Sequence, residues 1–94
     1  MNLHAREAEL RQQFEYNQVQ FLLTEVDTGI TFCNVANSSD KPEKTKRNTA
    51  HAREAHDSAL HFLRGANFDT DAKTEFDSKM AQLKSLLRDL GEEV

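Results

Sequence analysis

The sequence predicts an all-α fold, an antiparallel three-helix bundle with a long first helix. Apolar residues recur at steps of three and four in three separate segments, which is the spacing of one face of a helix. Only three glycines and one proline occur among the 94 residues, so few residues favour turns. A chain of this length holds one hydrophobic core, and we expect residues 1–94 to form a single domain.

The first helix is predicted over about residues 3–36. Its core face carries apolar side chains at steps of four, three, four and three: Val19, Leu23, Val26, Ile30 and Cys33. Gly29 lies beside this face. Because a glycine inside a helix costs about 1 kcal/mol relative to alanine, we expect another backbone to approach closely there. The polar residues 37–40 end the helix and supply an N-cap for the next one.

The second helix is predicted over about residues 41–65, with Pro42 in its first turn, where a missing N–H has no helical partner to lose. Its core face carries mostly small side chains: Asn48, Ala52, Ala55, Ala59, Phe62 and Ala66. Gly65 suits the end of the helix. Because the other two helices carry large apolar side chains, we expect the second helix to be contacted by both of them.

The third helix is predicted over about residues 70–90, with Asp69 or Thr70 as its N-cap and Gly91 at its end. Its apolar face again follows steps of four and three: Phe76, Met80, Leu83, Leu87 and Leu90. The three apolar faces therefore share one period, as expected for helices that pack side by side.

Short connections make sequential helices antiparallel, so the first and third helices are expected to run parallel to each other. Counting back from each turn places Val26 and Leu83 beside Ala52, and the neighbouring layers follow the same register. Large side chains then face small ones throughout the core. Replacement of Ala55 by leucine is expected to overpack this core.

The first helix is longer than the other two, so residues 1–13 are expected to extend beyond the bundle. A second, sparse apolar stripe runs along this extension and just past it, at spacings of seven, four and seven: Leu3, Leu10, Phe14 and Phe21. Uncovered apolar surface usually marks a contact site, which predicts a partner-binding or self-association surface. The alternative is a frayed or partly ordered helical extension.

Two short segments resemble the small-residue pattern of a tetratricopeptide helical hairpin: Val26-x-x-Gly29-x-x-Phe32 and Ala52-x-x-x-His56-x-x-Ala59-Leu60. Their separation is about eleven residues too long for that repeat, and a solenoid needs at least three repeats. The likeness implies a freestanding three-helix geometry similar to microtubule-interacting-and-trafficking domains, which bind peptides. No peptide-contacting residue of that family has a match here. Residues 23–32 and 48–60 also resemble small uncharacterised bacterial helical-bundle proteins, which implies no activity.

The sequence holds no recognisable catalytic, metal-binding or cofactor-binding constellation, so we expect a non-enzymatic protein without a cofactor or metal. His51, His56 and His61 lie five apart, which turns successive side chains by about 140° around a helix. One metal ion is therefore not expected to collect all three. Cys33 falls on the core face, where burial favours an inert thiol.

The start of the second helix holds the most concentrated basic run of the chain: Lys41, Lys44, Lys46 and Arg47. The helix dipole disfavours cations there, which makes the run a candidate anion contact. The alternative is a solvated turn whose charge is offset by Asp40, Glu43 and the acidic end of the third helix. Nucleic-acid binding is not expected, because the net charge is −4 and the run contains no aromatic residue for stacking.

These observations favour a protein-interaction module or small oligomeric scaffold, with a protein or a second copy of the chain as partner. The alternative is a ligand-binding or regulatory accessory subunit, with a small pocket at the polar end of the bundle near Asn34, Thr45 and Asn48. No segment is apolar enough for a membrane span, and residues 1–10 carry charges where a secretory signal needs an apolar stretch. We therefore expect a cytoplasmic protein.

Overall fold

Three α-helices dominate the computed structural model, which describes residues 3–94. Helix α1 spans Leu3–Ser38, α2 spans Pro42–Leu63 and α3 spans Thr70–Asp89. No strand occurs within this range. The predicted all-α bundle with a long first helix is confirmed. Residues 1 and 2, which belong to the predicted extension, lie outside the described residues.

The turn between α1 and α2 is built differently from the prediction. Helix α1 continues to Ser38, two residues beyond its predicted end. The N-cap position of α2 is Lys41, which makes no side-chain cap hydrogen bond, so the predicted cap from residues 37–40 is wrong. The Ser39 hydroxyl instead accepts a hydrogen bond from the Lys41 N–H at 3.2 Å and thereby closes the turn. Pro42 then begins α2, where its fixed φ suits the first turn.

Both ends of α3 are capped by side-chain and backbone groups that the sequence predicts. The Asp69 carboxylate accepts a hydrogen bond from the Ala72 N–H at 2.8 Å, which satisfies one of the free donors of the first turn. At the other end Gly91 has a φ of 93°, which a glycine adopts without steric strain. The Glu92 N–H then donates to the Leu87 carbonyl at 2.9 Å, as in a Schellman motif.

Large side chains from α1 and α3 and small ones from α2 form the core. The largest fully buried side chains come from α1 and α3: Leu22, Val26, Cys33, Phe76, Leu83 and Leu87. Helix α2 contributes the buried alanines Ala52, Ala55 and Ala59, as predicted. Phe62 was expected on this face, but 47% of it is exposed because it packs on the outer side of the α1–α2 pair.

Helix α2 is contacted by both other helices, as expected, but α1 provides the larger share of the packing. Helix α3 packs mainly on α1 and less on α2. A Cβ placed on Gly29 would lie 2.9 Å from Leu83 Cδ2 in α3 and 3.3 Å from Ala55 Cβ in α2. Gly29 is therefore the predicted point of close approach.

The pairing of α1 with α2 is displaced from the predicted register by more than one helical turn. The prediction placed Val26 beside Ala52, whereas the structure places Gly29 against Ala55 and the Phe32 ring 5.1 Å from the His51 ring. The displacement arises partly because α1 continues to Ser38, which moves the turn along the chain. The helix directions are as expected, since α1 and α2 contacts run in opposite order along the two chain segments.

Candidate protein interaction surface

Helix α1 extends well past the ends of its neighbours. It has 36 residues, whereas α2 has 22 and α3 has 20. At 1.5 Å per residue α1 is about 54 Å long, and the whole molecule measures 60 Å along its longest axis and 21 × 18 Å across it. Every residue from 3 to 14 is exposed. We call residues 3–14 the extension.

The four residues of the predicted apolar stripe all reach solvent. Leu3, Leu10 and Phe14 are 73%, 64% and 68% exposed, and Phe21 is 45% exposed. Their spacings of seven, four and seven place them within a narrow arc of the helix. This arc lies on a different face from the buried residues of α1, so the stripe does not continue the core. It is a separate apolar surface, which we call the N-terminal stripe.

Helix α2 widens the N-terminal stripe at the end where Phe21 lies. The Phe21 and Phe62 rings lie 5.7 Å apart at an interplanar angle of 85°, the edge-to-face arrangement that aromatic pairs favour. The His61 ring packs edge-on against Phe62 at 4.8 Å. Sequence reasoning missed Phe62 as a surface residue because its spacing matches the alanine face of α2. Its position one residue before the end of α2, where little core remains to cover it, is the signal that was available.

The structure divides the predicted basic run between two places. Lys41, Lys44 and Arg47 line one surface groove of about 580 Å³. Lys46 lines a different pocket, of about 620 Å³, together with Glu92 from the acidic C-terminal end. The four cations therefore do not converge on one site. The anion contact at these residues remains a prediction that involves at most three of them together.

Side chains at the polar end of the bundle donate hydrogen bonds to backbone carbonyls. Asn48 is buried and its amide donates to the Lys44 carbonyl at 2.8 Å. The Thr45 hydroxyl donates to the Ala36 carbonyl at 3.3 Å. Thr45 lines the pocket of about 620 Å³, whereas Asn34 and Asn48 do not. The three residues predicted to form a small pocket are therefore not brought together in one.

His56 is a polar residue of α2 that is buried in the structure. Its Nδ1 lies 2.8 Å from Asp57 Oδ1, and the Arg53 Nε donates to the same oxygen at 3.1 Å. Its Nε2 has no hydrogen-bond partner among the described residues. Burial acts to raise the pKa of the Asp57 carboxyl, but the hydrogen bonds from His56 and Arg53 outweigh it and lower that pKa below its usual value.

The remaining candidate groups make ordinary contacts. Cys33 is fully buried, as predicted, and burial raises the pKa of its thiol, which disfavours the reactive thiolate. Among residues 3–94 no three His, Cys, Asp or Glu side chains lie close enough together to hold a metal ion. In the same range no helix combines the length and the apolar content that crossing a membrane requires.

No model of a protein family, no curated protein and no solved structure matches this chain. The resemblance to tetratricopeptide hairpins, to microtubule-interacting-and-trafficking domains and to small bacterial helical bundles stays a prediction. Any function must therefore be inferred from the surfaces described above.

Proposed function

We propose that this chain is a non-enzymatic protein-interaction module, or a small oligomeric scaffold, that binds its partner through the N-terminal stripe. The observation that supports the proposal is the exposure of Leu3, Leu10 and Phe14 on a helix that no other part of the described chain covers. Burial of one such side chain contributes about 1.5–3 kcal/mol. A partner that covers all three would gain several times that amount before the cost of association.

The extension itself supports the proposal. A helical segment of about twelve residues without tertiary contacts is marginally stable in water. A partner packed along the stripe would supply the missing contacts. The bundle fixes the direction of the extension, because α1 is one continuous helix from Leu3 to Ser38. Within this proposal the protein acts in the cytoplasm, where a free buried thiol such as Cys33 persists in its reduced form.

A second candidate function is that of a ligand-binding or regulatory accessory subunit. The pocket of about 620 Å³ at the α1–α2 turn favours it, since its volume is within the range of small-molecule sites. Its lining combines polar and charged side chains, among them Thr45, Lys46 and Glu92, with the apolar Pro42, Ala50 and Leu90. It ranks second because two of the three residues predicted to form the pocket, Asn34 and Asn48, do not line it.

Affinity purification with the tagged chain as bait in extract of its native cell tests the proposal. The Leu10→Lys variant places a charge in the middle of the stripe and is expected to lose a protein partner that the parent chain retains in stoichiometric amount. Leu60→Lys is the matched control, because Leu60 is also an exposed leucine, 41% accessible, but lies on α2 away from the stripe. A copurifying small molecule without any protein would favour the accessory subunit, and turnover by the isolated chain would overturn the non-enzymatic proposal.

A further inference from the structure

We infer that the partner of the N-terminal stripe is a second copy of this chain, packed antiparallel along α1. This inference rests on the proposed function and names the partner of the same surface. It follows from the order of residues on the stripe face, which has six positions at steps of four, three, four, three and four: Leu3, Glu7, Leu10, Phe14, Asn17 and Phe21. All six are exposed.

Along the helix these six positions are apolar, polar, apolar, apolar, polar and apolar, an order that is the same in both directions. The midpoint of the six positions lies at the level of Gln12. An antiparallel copy centred there therefore faces apolar residues with apolar ones and polar residues with polar ones. The facing pairs, each formed twice, are Leu3 with Phe21, Leu10 with Phe14 and Glu7 with Asn17. Antiparallel helices pair their two seam positions in this alternating manner.

Other arrangements of the same two helices are less favourable, because each brings at least one mismatched pair or one pair of like charges onto the seam. A shift of one heptad in one direction puts Glu7 against Leu10 of the second copy, and a shift in the other direction puts Phe14 against Asn17. A parallel pair in register brings Glu7 against Glu7, so two like charges face each other on the seam. Polar residues on a helical seam select register and direction in this way.

The polar pair at Glu7 and Asn17 is also chemically matched. The Asn17 carbonyl oxygen accepts a hydrogen bond from the Gln13 amide at 3.0 Å, which orients the side chain and directs its NH₂ group away from Gln13. An amide NH₂ is a donor and the Glu7 carboxylate is an acceptor, so the two form a charge-assisted hydrogen bond across the seam.

The end of α2 completes the interface. In the antiparallel arrangement Leu3 of the second copy reaches the level of Phe21, where the exposed Phe62 ring widens the apolar surface. Leu3 then packs into the corner between the two rings, which accounts for the exposure of Phe62. The interface contains only a few apolar side chains from each copy and is smaller than a standard one, so we expect a dissociation constant on the order of micromolar.

Sedimentation equilibrium on the full chain and on charge variants tests the direction of pairing. Asn17→Lys places a cation opposite Glu7 of the second copy and is expected to tighten the antiparallel dimer by roughly threefold or more, an effect that salt weakens. In a parallel dimer the same change faces lysine with lysine and loosens association. Gln12→Lys, which adds the same charge on the opposite side of α1, is the matched control and is expected to change the dissociation constant little.

Cysteine cross-linking gives a second, independent measurement. Glu7→Cys and Asn17→Cys chains, mixed and oxidised, are expected to form the mixed disulfide, because these positions face each other in the antiparallel dimer. Each variant alone is expected to cross-link poorly, since positions 7 and 7 are about 15 Å apart along the axis. The native Cys33 is fully buried and is not expected to react. The parent chain, oxidised in the same way, is the control.

A chain that remains monomeric to about ten times the expected dissociation constant overturns the inference. If such a monomer still captures a different protein that Leu10→Lys fails to capture, the proposed function stands and only the identity of the partner is wrong. Efficient cross-linking of Glu7→Cys with itself overturns the antiparallel direction. A dimer that Asn17→Lys tightens and that yields the mixed disulfide supports the inference.

Discussion

The two halves of α1 carry similar side chains in opposite surroundings. In the half that begins at Val19, the residues Leu22, Val26 and Cys33 are fully buried against α2 and α3. In the extension, Leu3 and Leu10 are mostly exposed, although they belong to the same continuous helix. The difference shows that helical spacing of apolar residues predicts the existence of an apolar face but does not say whether the same chain covers it.

The width of the apolar face separates the two halves more clearly than its hydrophobicity does. The half of α1 that begins at Val19, which we call the lower half, has a broad apolar face, since Leu22 and Gly29 lie beside the row that contains Val26. This half contacts two helices. The N-terminal stripe is a single row with polar residues at Glu7 and Asn17. A single row is typical of contact with one partner helix.

The largest expected difference between the halves is in the free energy of unfolding after an identical change in each. Leu22→Ala is expected to destabilise the chain by about 2–5 kcal/mol, because it leaves a cavity in the core. Leu10→Ala is expected to change stability by about 0.5 kcal/mol or less, since Leu10 is exposed. Urea unfolding followed by circular dichroism, at a dilution where the chain is monomeric, measures both. Equal losses for the two variants would mean that the extension belongs to the core.

The next effect tests the small residues that allow α2 to approach the lower half of α1. Ala55→Leu is expected to destabilise by about 1–3 kcal/mol, because the Ala55 Cβ already lies 3.3 Å from where a Cβ on Gly29 would be. Ala50→Leu is the matched control on the same helix, at an exposed position, and is expected to be nearly neutral. A melting temperature that Ala55→Leu leaves unchanged would contradict the close packing at Gly29.

The smallest effect concerns an ion pair that joins the lower half of α1 to α3. The Lys79 ammonium lies 2.8 and 2.9 Å from the two Asp27 carboxylate oxygens and joins α3 to α1. Hydrogen bonding to Asp27 raises the pKa of Lys79 above its usual value. The stabilisation is therefore fully present below the unfolded-state pKa of lysine, and it is lost as the pH rises through the higher folded-state value.

Asp27→Asn is expected to lower stability near neutral pH by about 1 kcal/mol or less, as is usual for a solvent-exposed pair. It should also reduce the loss of stability that the parent chain shows above about pH 10. Unfolding midpoints across this pH range, with Asp71→Asn as a control in the first turn of α3, provide the measurement. If the unfolding midpoints of the parent and the Asp27→Asn variant fall equally as the pH rises, the ion pair does not couple the two helices.

The sequence predicted the helices well because their signals are local. Steps of three and four located the apolar faces, Asp69 and Gly91 located the ends of α3, and Gly29 located the close approach. The register of α1 against α2 was wrong because it was counted from the position of one turn. The two-residue error at Ser38 displaces every layer counted from it and accounts for part of the difference.

The candidate surface was predictable in part. The spacing of Leu3, Leu10 and Phe14 indicated one stripe, and the length of α1 indicated that it is uncovered. The contribution of Phe62 was not predictable, because it depends on which side of α2 meets Phe21. The burial of His56, which lies beside the alanine face of α2, also depends on packing between elements rather than on local spacing.

The position of Cys33 gives the molecule a built-in reporter of bundle opening. It is the only cysteine of the chain, it lies in the part of α1 that contacts both neighbours, and no part of it reaches solvent. A thiol-specific reagent therefore modifies the protein only while the helices are apart, so the labelling rate follows the frequency of that separation. The opening of the native bundle can therefore be followed in this protein without an introduced probe.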